Sequence, residues 1–115
     1  EGAFVQGMGW LCGEELRFAD DGRLLTHSAS TYAIPAISDA PDELYVELLA
    51  DAPEHSVVHG SKAVGEPPLM LAIAVREALR DAVGAFGGEG PVLLPTPLSH
   101  EALWHAVQAR RGARP

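Results

Sequence analysis

Sulfur is scarce in this chain: Cys12 is the single cysteine in 115 residues. One thiol can build neither a disulfide framework nor an iron–sulfur cluster, which takes about four thiolates. The compartment this implies is reducing, and the expected location is cytoplasmic. Positive charge is scarce too, with 8 Lys and Arg against 16 Asp and Glu and a formal net charge of −8. That balance excludes duplex nucleic acid as a partner, because neutralising phosphates requires a basic stripe. The cluster Arg110, Arg111 and Arg114 reads as a frayed terminus. Long apolar runs are missing as well. The longest, Leu69 to Val75, falls far short of the roughly 20 residues that span a bilayer, and no basic segment precedes an apolar one as in a secretory signal. No membrane partner is expected. The opening Glu1-Gly2-Ala3-Phe4-Val5-Gln6 has no initiator Met and reads as the middle of an apolar element, so the expectation is a piece of a longer protein.

Against these absences stands an apolar content of 47%, enough for one modest core in a single domain over residues 1–115 without help from metals or disulfides. Residues 3–15 carry Phe4, Val5, Met8, Leu11 and Cys12 at helical spacing, but Gly7, Gly9 and Gly13 each cost about 1 kcal/mol relative to Ala, so this helix depends on packing. The runs 17–19 and 23–26 flank Asp20-Asp21-Gly22 and read as a hairpin. Residues 27–43, rich in Ser, Thr, Pro and Asp, read as a surface segment, and Leu44 to Leu49 as a strand. After a loop over 51–68, the clearest helix covers 68–86, with Ala72, Val75, Leu79, Ala82, Val83 and Phe86 on one face. A last helix is expected over 99–110, capped by Ser99. The fold class is α+β: helices with a small antiparallel sheet between them.

Five histidines invite a metal test, which they fail. His55 and His59 fall on the loop, and the five-residue step from His100 to His105 puts those two on different helix faces, whereas zinc wants three or four convergent ligands. Protein-borne metal ligands are expected to be none. Gly7-Met8-Gly9 with Gly13 misses the dinucleotide fingerprint by one position and lacks its strand and acidic residue. These glycines instead permit close approach of a backbone or a cofactor. Gln6, polar among apolar neighbours, needs hydrogen-bond partners if it is covered.

The most informative stretch is Gly60-Ser61-Lys62-Ala63-Val64-Gly65-Glu66-Pro67-Pro68-Leu69. Two prolines suit a first helical turn, and Pro67 drives Glu66 out of the helical region, so the carboxylate sits at a helix mouth. There the helix dipole lowers its pKa and burial raises it. Such a glutamate serves either as a helix cap or as a general base.

Four blocks together resemble the C-terminal part of the molybdenum-binding subunit of the xanthine dehydrogenase family of molybdenum hydroxylases. They are Glu1 to Gly9, Glu14-Glu15-Leu16, Ser30-Thr31-Tyr32-Ala33-Ile34-Pro35-Ala36, and Ser61 to Leu69, spread in order over about residues 1–85. The resemblance implies a fragment of the molybdopterin-binding domain. It also implies oxidative hydroxylation of hypoxanthine and xanthine: a glutamate takes the proton of a molybdenum-bound hydroxyl, the oxygen attacks an electron-poor ring carbon, and hydride passes to a sulfido ligand. Glu66 matches the catalytic glutamate and Gln6 the glutamine that hydrogen-bonds the cofactor region. Lys62, Gly65, Pro67 and Pro68 support the loop. Because molybdopterin holds the metal through its own sulfurs, no protein ligand cluster is required.

Two departures, Ala33 where a lysine is common and Cys12-Gly13 where hydroxyl residues are common, lie away from that chemistry. By the same resemblance, FAD and the 2Fe-2S clusters belong to other domains or subunits, with which this chain would partner to act in purine catabolism. The isolated chain is expected to be inactive and free of molybdenum, and prone to self-association through Phe4, Val5, Met8, Trp10 and Leu11. The competing reading is an inactive stand-alone fragment serving as a structural or interaction module.

Overall fold

The computed structural model of the chain describes residues 1–62 and 67–112. Four α-helices carry the described structure: α1 (Gly2–Cys12), α2 (Pro67–Leu71), α3 (Ile73–Gly84) and α4 (His100–Gly112). α1 crosses α2 and lies against α3, and α3 packs on α4. Single 3-10 turns occur at Ile37–Asp39 and Val58–Gly60.

Packing explains why so glycine-rich a segment as α1 is helical. Gly7 is buried, and a Cβ built there would strike the Leu69 carbonyl oxygen and lie 2.7 Å from the Cβ of Ala72. Only a residue without a side chain lets α1 and α2 approach so closely. Leu11, one turn further on, is buried on the same face. α1 ends as the N–H groups of Gly13 and Glu14 both donate to the Gly9 carbonyl, each at 2.8 Å.

The single helix expected over 68–86 is broken at Ala72. Ala72 donates to Leu69 O at 3.2 Å and Val75 to Ala72 O at 3.0 Å, so the bonding there tightens to three-residue steps. The completely buried Ala72 sits where the two short helices turn against Gly7. α3 stops at Gly84, and Gly87, Gly88 and Gly90 then take positive φ values of 115°, 76° and 79°.

Residues 91–98 run back along α3 as a strap. The Leu98 N–H donates to Leu11 O at 2.7 Å, and the Leu98 side chain is buried with Val83. Ser99 caps α4, its Oγ accepting the Ala102 N–H at 3.2 Å. The basic end of α4 is not frayed at Arg110: its guanidinium donates to the carbonyls of Gly87, Glu89 and Gly90 at 3.3, 3.2 and 2.9 Å, fastening the glycine loop. Arg111 lies over the Phe86 ring at 5.4 Å. Arg114 falls outside the described residues.

The expected antiparallel sheet is the main correction. The hairpin exists as a turn: Gly22 donates to Ala19 O at 2.9 Å with φ +82°, as the Asp-Asp-Gly sequence requires. It closes on a single bridge, Phe18 to Leu24. Leu44 to Leu49 forms no strand, because none of its backbone groups finds a partner among the described residues. Among those residues the architecture is helical.

The chain is not compact. Its radius of gyration is 18.7 Å, where a globule of this length has about 13 Å. Its accessible surface is 9007 Å², where roughly 6,000 Å² is usual for the mass.

Candidate cofactor-contacting site

Gln6 is exposed on α1, one position before the buried Gly7 contact. Its amide is hydrogen-bonded to no described residue, so two N–H donors and a carbonyl acceptor face outward. The α1–α2 crossing at Gly7 and Leu69 brings the segment carrying Gln6 against the helix that follows Glu66 in the sequence. Glu66 itself, the sequence candidate for the base, lies outside the described residues, as does Gly65. Lys62 is exposed at the end of the preceding loop, and Pro68 is half-buried in the first turn of α2.

A cavity of about 490 Å³ opens on the other side of α1, floored by Met8, Gly9 and Cys12, walled by Ile34, Pro35, Val75 and Leu79, and rimmed by Glu15, Asp39 and Glu101. Gln6 does not line it. Burial pushes the Cys12 thiol above its ordinary pKa, and the nearby Arg76 charge partly offsets the rise. Among the described residues no group of three or more His, Cys, Asp or Glu is placed to hold a metal ion. No described helix is long and apolar enough to cross a membrane.

Two contacts that spacing could not reveal brace this side. The Tyr32 hydroxyl donates to Glu14 Oε2 at 2.5 Å, which also raises the phenol's pKa because the neutral form is the one that donates. Both residues belong to blocks that carry the family resemblance. Arg76 donates from Nη2 to Leu94 O at 2.6 Å, from Nε to Thr96 Oγ1 at 3.1 Å and from Nη1 to Glu77 at 3.0 Å. In sequence Arg76 is one more charge on a helix's polar face, and nothing distinguishes it from the exposed Arg80.

Known proteins match this sequence. Residues 1–41, which contain Gln6 and the cavity residues of α1, match the molybdopterin cofactor-binding domain family. Across 92% of its length the chain is 44% identical to the xanthine dehydrogenase/oxidase of Gallus gallus. Identity is 51% over 74% of the chain with the xanthine dehydrogenase of Dictyostelium discoideum, and 42% over 90% with xanthine dehydrogenase 2 of Arabidopsis thaliana. The chain spans only 8%, 6% and 8% of these three relatives.

Proposed function

The chain belongs to the xanthine dehydrogenase family, as part of its molybdenum-binding region, and from that premise we propose that it supplies the general base and one cofactor contact of a molybdenum hydroxylase acting on hypoxanthine and xanthine. Sequence identity along nine-tenths of the chain with an enzyme of that name carries this reading.

The cofactor, molybdenum held by molybdopterin, supplies the two-electron redox chemistry when bound. Gln6 fits such a group, because its outward amide has no partner within the described chain and offers both donors and an acceptor to a polar ring system or an oxo group. Glu66 takes up the proton released as the purine carbon is hydroxylated, a task that requires a carboxylate held still. Pro67 and Pro68 restrict the backbone beside it. The remaining domains or subunits of the enzyme are the partners, and they carry FAD and the 2Fe-2S clusters.

The test uses two substitutions in the complete, cofactor-loaded enzyme. Glu66→Gln is expected to keep its molybdenum while kcat falls by roughly 10²- to 10⁴-fold, the usual contribution of a positioned base. Gln6→Ala is expected to lower molybdopterin retention. A Glu66→Gln enzyme with full molybdenum and near-normal kcat contradicts the assignment and leaves Glu66 a helix cap, whose loss costs about 1 kcal/mol of stability.

A further inference from the structure

α1 is gripped at two buried glycines, Gly7 and Gly9. Successive residues advance about 100° round a helix, so these two face directions about 160° apart. At Gly7 the neighbour is α2. At Gly9 it is the segment 32–35: a Cβ built on Gly9 would strike the Pro35 ring and come within 2.5 Å of Glu14 Oε1. The other oxygen of that carboxylate, Oε2, accepts the Tyr32 hydroxyl at 2.5 Å. Both ends of this bond are anchored locally. The Glu14 N–H donates to Gly9 O at 2.8 Å, and a turn in which Thr31 and Tyr32 both donate to Ser28 O, at 2.9 and 2.8 Å, holds the tyrosine backbone. Gln6 falls in the arc between the two grips, about 100° from Gly7 and about 60° from Gly9. That arc is open, and Gln6 and Trp10 are both exposed along it.

We infer that Tyr32 and Glu14 are positioning residues for the cofactor contact: their hydrogen bond closes the segment 32–35 across α1 at Gly9 and fixes the rotation of the helix that presents Gln6. This rests on the reading of Gln6 given above. A helix held along one line can roll about its axis, and a second grip on a different side prevents it. The consequence at Gln6 is large. A roll of about 30° carries a side-chain tip roughly 6 Å from the axis through about 3 Å, which is the full length of a hydrogen bond. The grip at Gly7 is made by close backbone approach. The grip at Gly9 depends on a side chain beyond the helix end, Glu14, and on one hydroxyl that reaches it from 18 residues away. A charged acceptor makes that bond a strong one. Neither residue touches the cofactor in this arrangement; both act through the orientation of α1.

The experiment puts the chain in place of the matched segment of the Gallus gallus xanthine dehydrogenase/oxidase, loads molybdenum, and follows the rate at which molybdenum and pterin are lost on dialysis, a readout separate from turnover. Tyr32→Phe removes only the hydroxyl and is expected to speed the loss about tenfold, the low end of what removing a group that orients a ligand costs. Gln6→Ala is expected to speed it at least as much. Adding Tyr32→Phe to Gln6→Ala is expected to change the rate by less than about twofold, because a residue that acts through Gln6 then has nothing left to position. Glu14→Gln keeps an acceptor for the hydroxyl and is expected to stay within about threefold of the parent rate. Unchanged hydrogen exchange of α3 and α4 amides in the 115-residue variants verifies that they fold. A Tyr32→Phe enzyme that keeps its cofactor as long as the parent overturns the inference. So does an effect of Tyr32→Phe that persists at full size without the Gln6 amide, since the pair then supports the fold and not that contact, and so does a Glu14→Gln enzyme that loses cofactor as fast as Tyr32→Phe. The reading of Gln6 fails on a different result, parental retention by Gln6→Ala, which removes the cofactor contact itself and the inference with it.

Discussion

At the scale of single residues, what matters most is a side chain that is missing. Gly7 could be read from the sequence only as a cost to helix formation, yet the position tolerates nothing larger, because its neighbours are a backbone carbonyl and the fully buried Ala72. Gly7→Ala is therefore expected to destabilise the chain by about 1–3 kcal/mol despite the helix propensity it adds, as overpacking does. Gly13→Ala meets nothing closer than 3.7 Å, at a φ of −145° that any residue adopts, and is expected to be nearly neutral in the same urea titration. Equal effects of the two changes would remove the close α1–α2 crossing from the account. Two titrating groups add a pH dependence. Cys12, by burial, and Tyr32, by donating to Glu14, both hold their protons more tightly in the folded chain. The unfolded chain thus loses those protons at lower pH, so stability falls as pH rises through the ordinary thiol and phenol ranges. A urea midpoint lower at pH 10 than at pH 7, with the decline reduced by Tyr32→Phe, is the expected result.

At the scale of elements, the sequence was legible wherever a pattern is local. Helical periodicity placed α4 to within two residues, and it gave the combined span of α2 and α3 as a single helix. Ser99 was recognisable as a cap, and Asp20-Asp21-Gly22 as a turn. The break at Ala72 was not legible, because Leu69 to Val75 is apolar at every position and carries no periodic interruption; tertiary contact with Gly7 decides it. Leu44 to Leu49 has a strand's composition, but a strand exists only with a neighbour, which the described chain does not provide. Nor did Arg76 announce that it holds the 91–98 strap. Its side chain, 17% exposed, is the principal link between α3 and that strap among the described residues. Arg76→Lys loses the planar fork that reaches Leu94 O and Thr96 together, and is expected to cost about 2 kcal/mol and to open the strap to protease cleavage. Arg80→Lys, at an exposed site on the same helix, is expected to change neither quantity.

At the scale of the whole molecule, the open shape and the family match point the same way: an acidic, helix-rich piece of a larger molybdenum-binding region, with Gln6 and the apolar residues of 44–49 exposed on it. The candidate site is proposed from blocks that resemble the family rather than from geometry, since Gln6 is one exposed amide and Glu66 one carboxylate among 16 acidic residues. The cavity beside Cys12 was not legible, because its walls come from residues 8–15, 33–39, 75–79 and 99–101, and only the folded chain collects them. The central claim is that this chain is a working part of a molybdenum hydroxylase. Its most direct test is to put the chain in place of the matched segment of the Gallus gallus enzyme, load molybdenum, and measure xanthine turnover per molybdenum atom. The account predicts turnover within about tenfold of the parent enzyme, a range corresponding to about 1.4 kcal/mol in the barrier. Full molybdenum content with no measurable xanthine oxidation would contradict it.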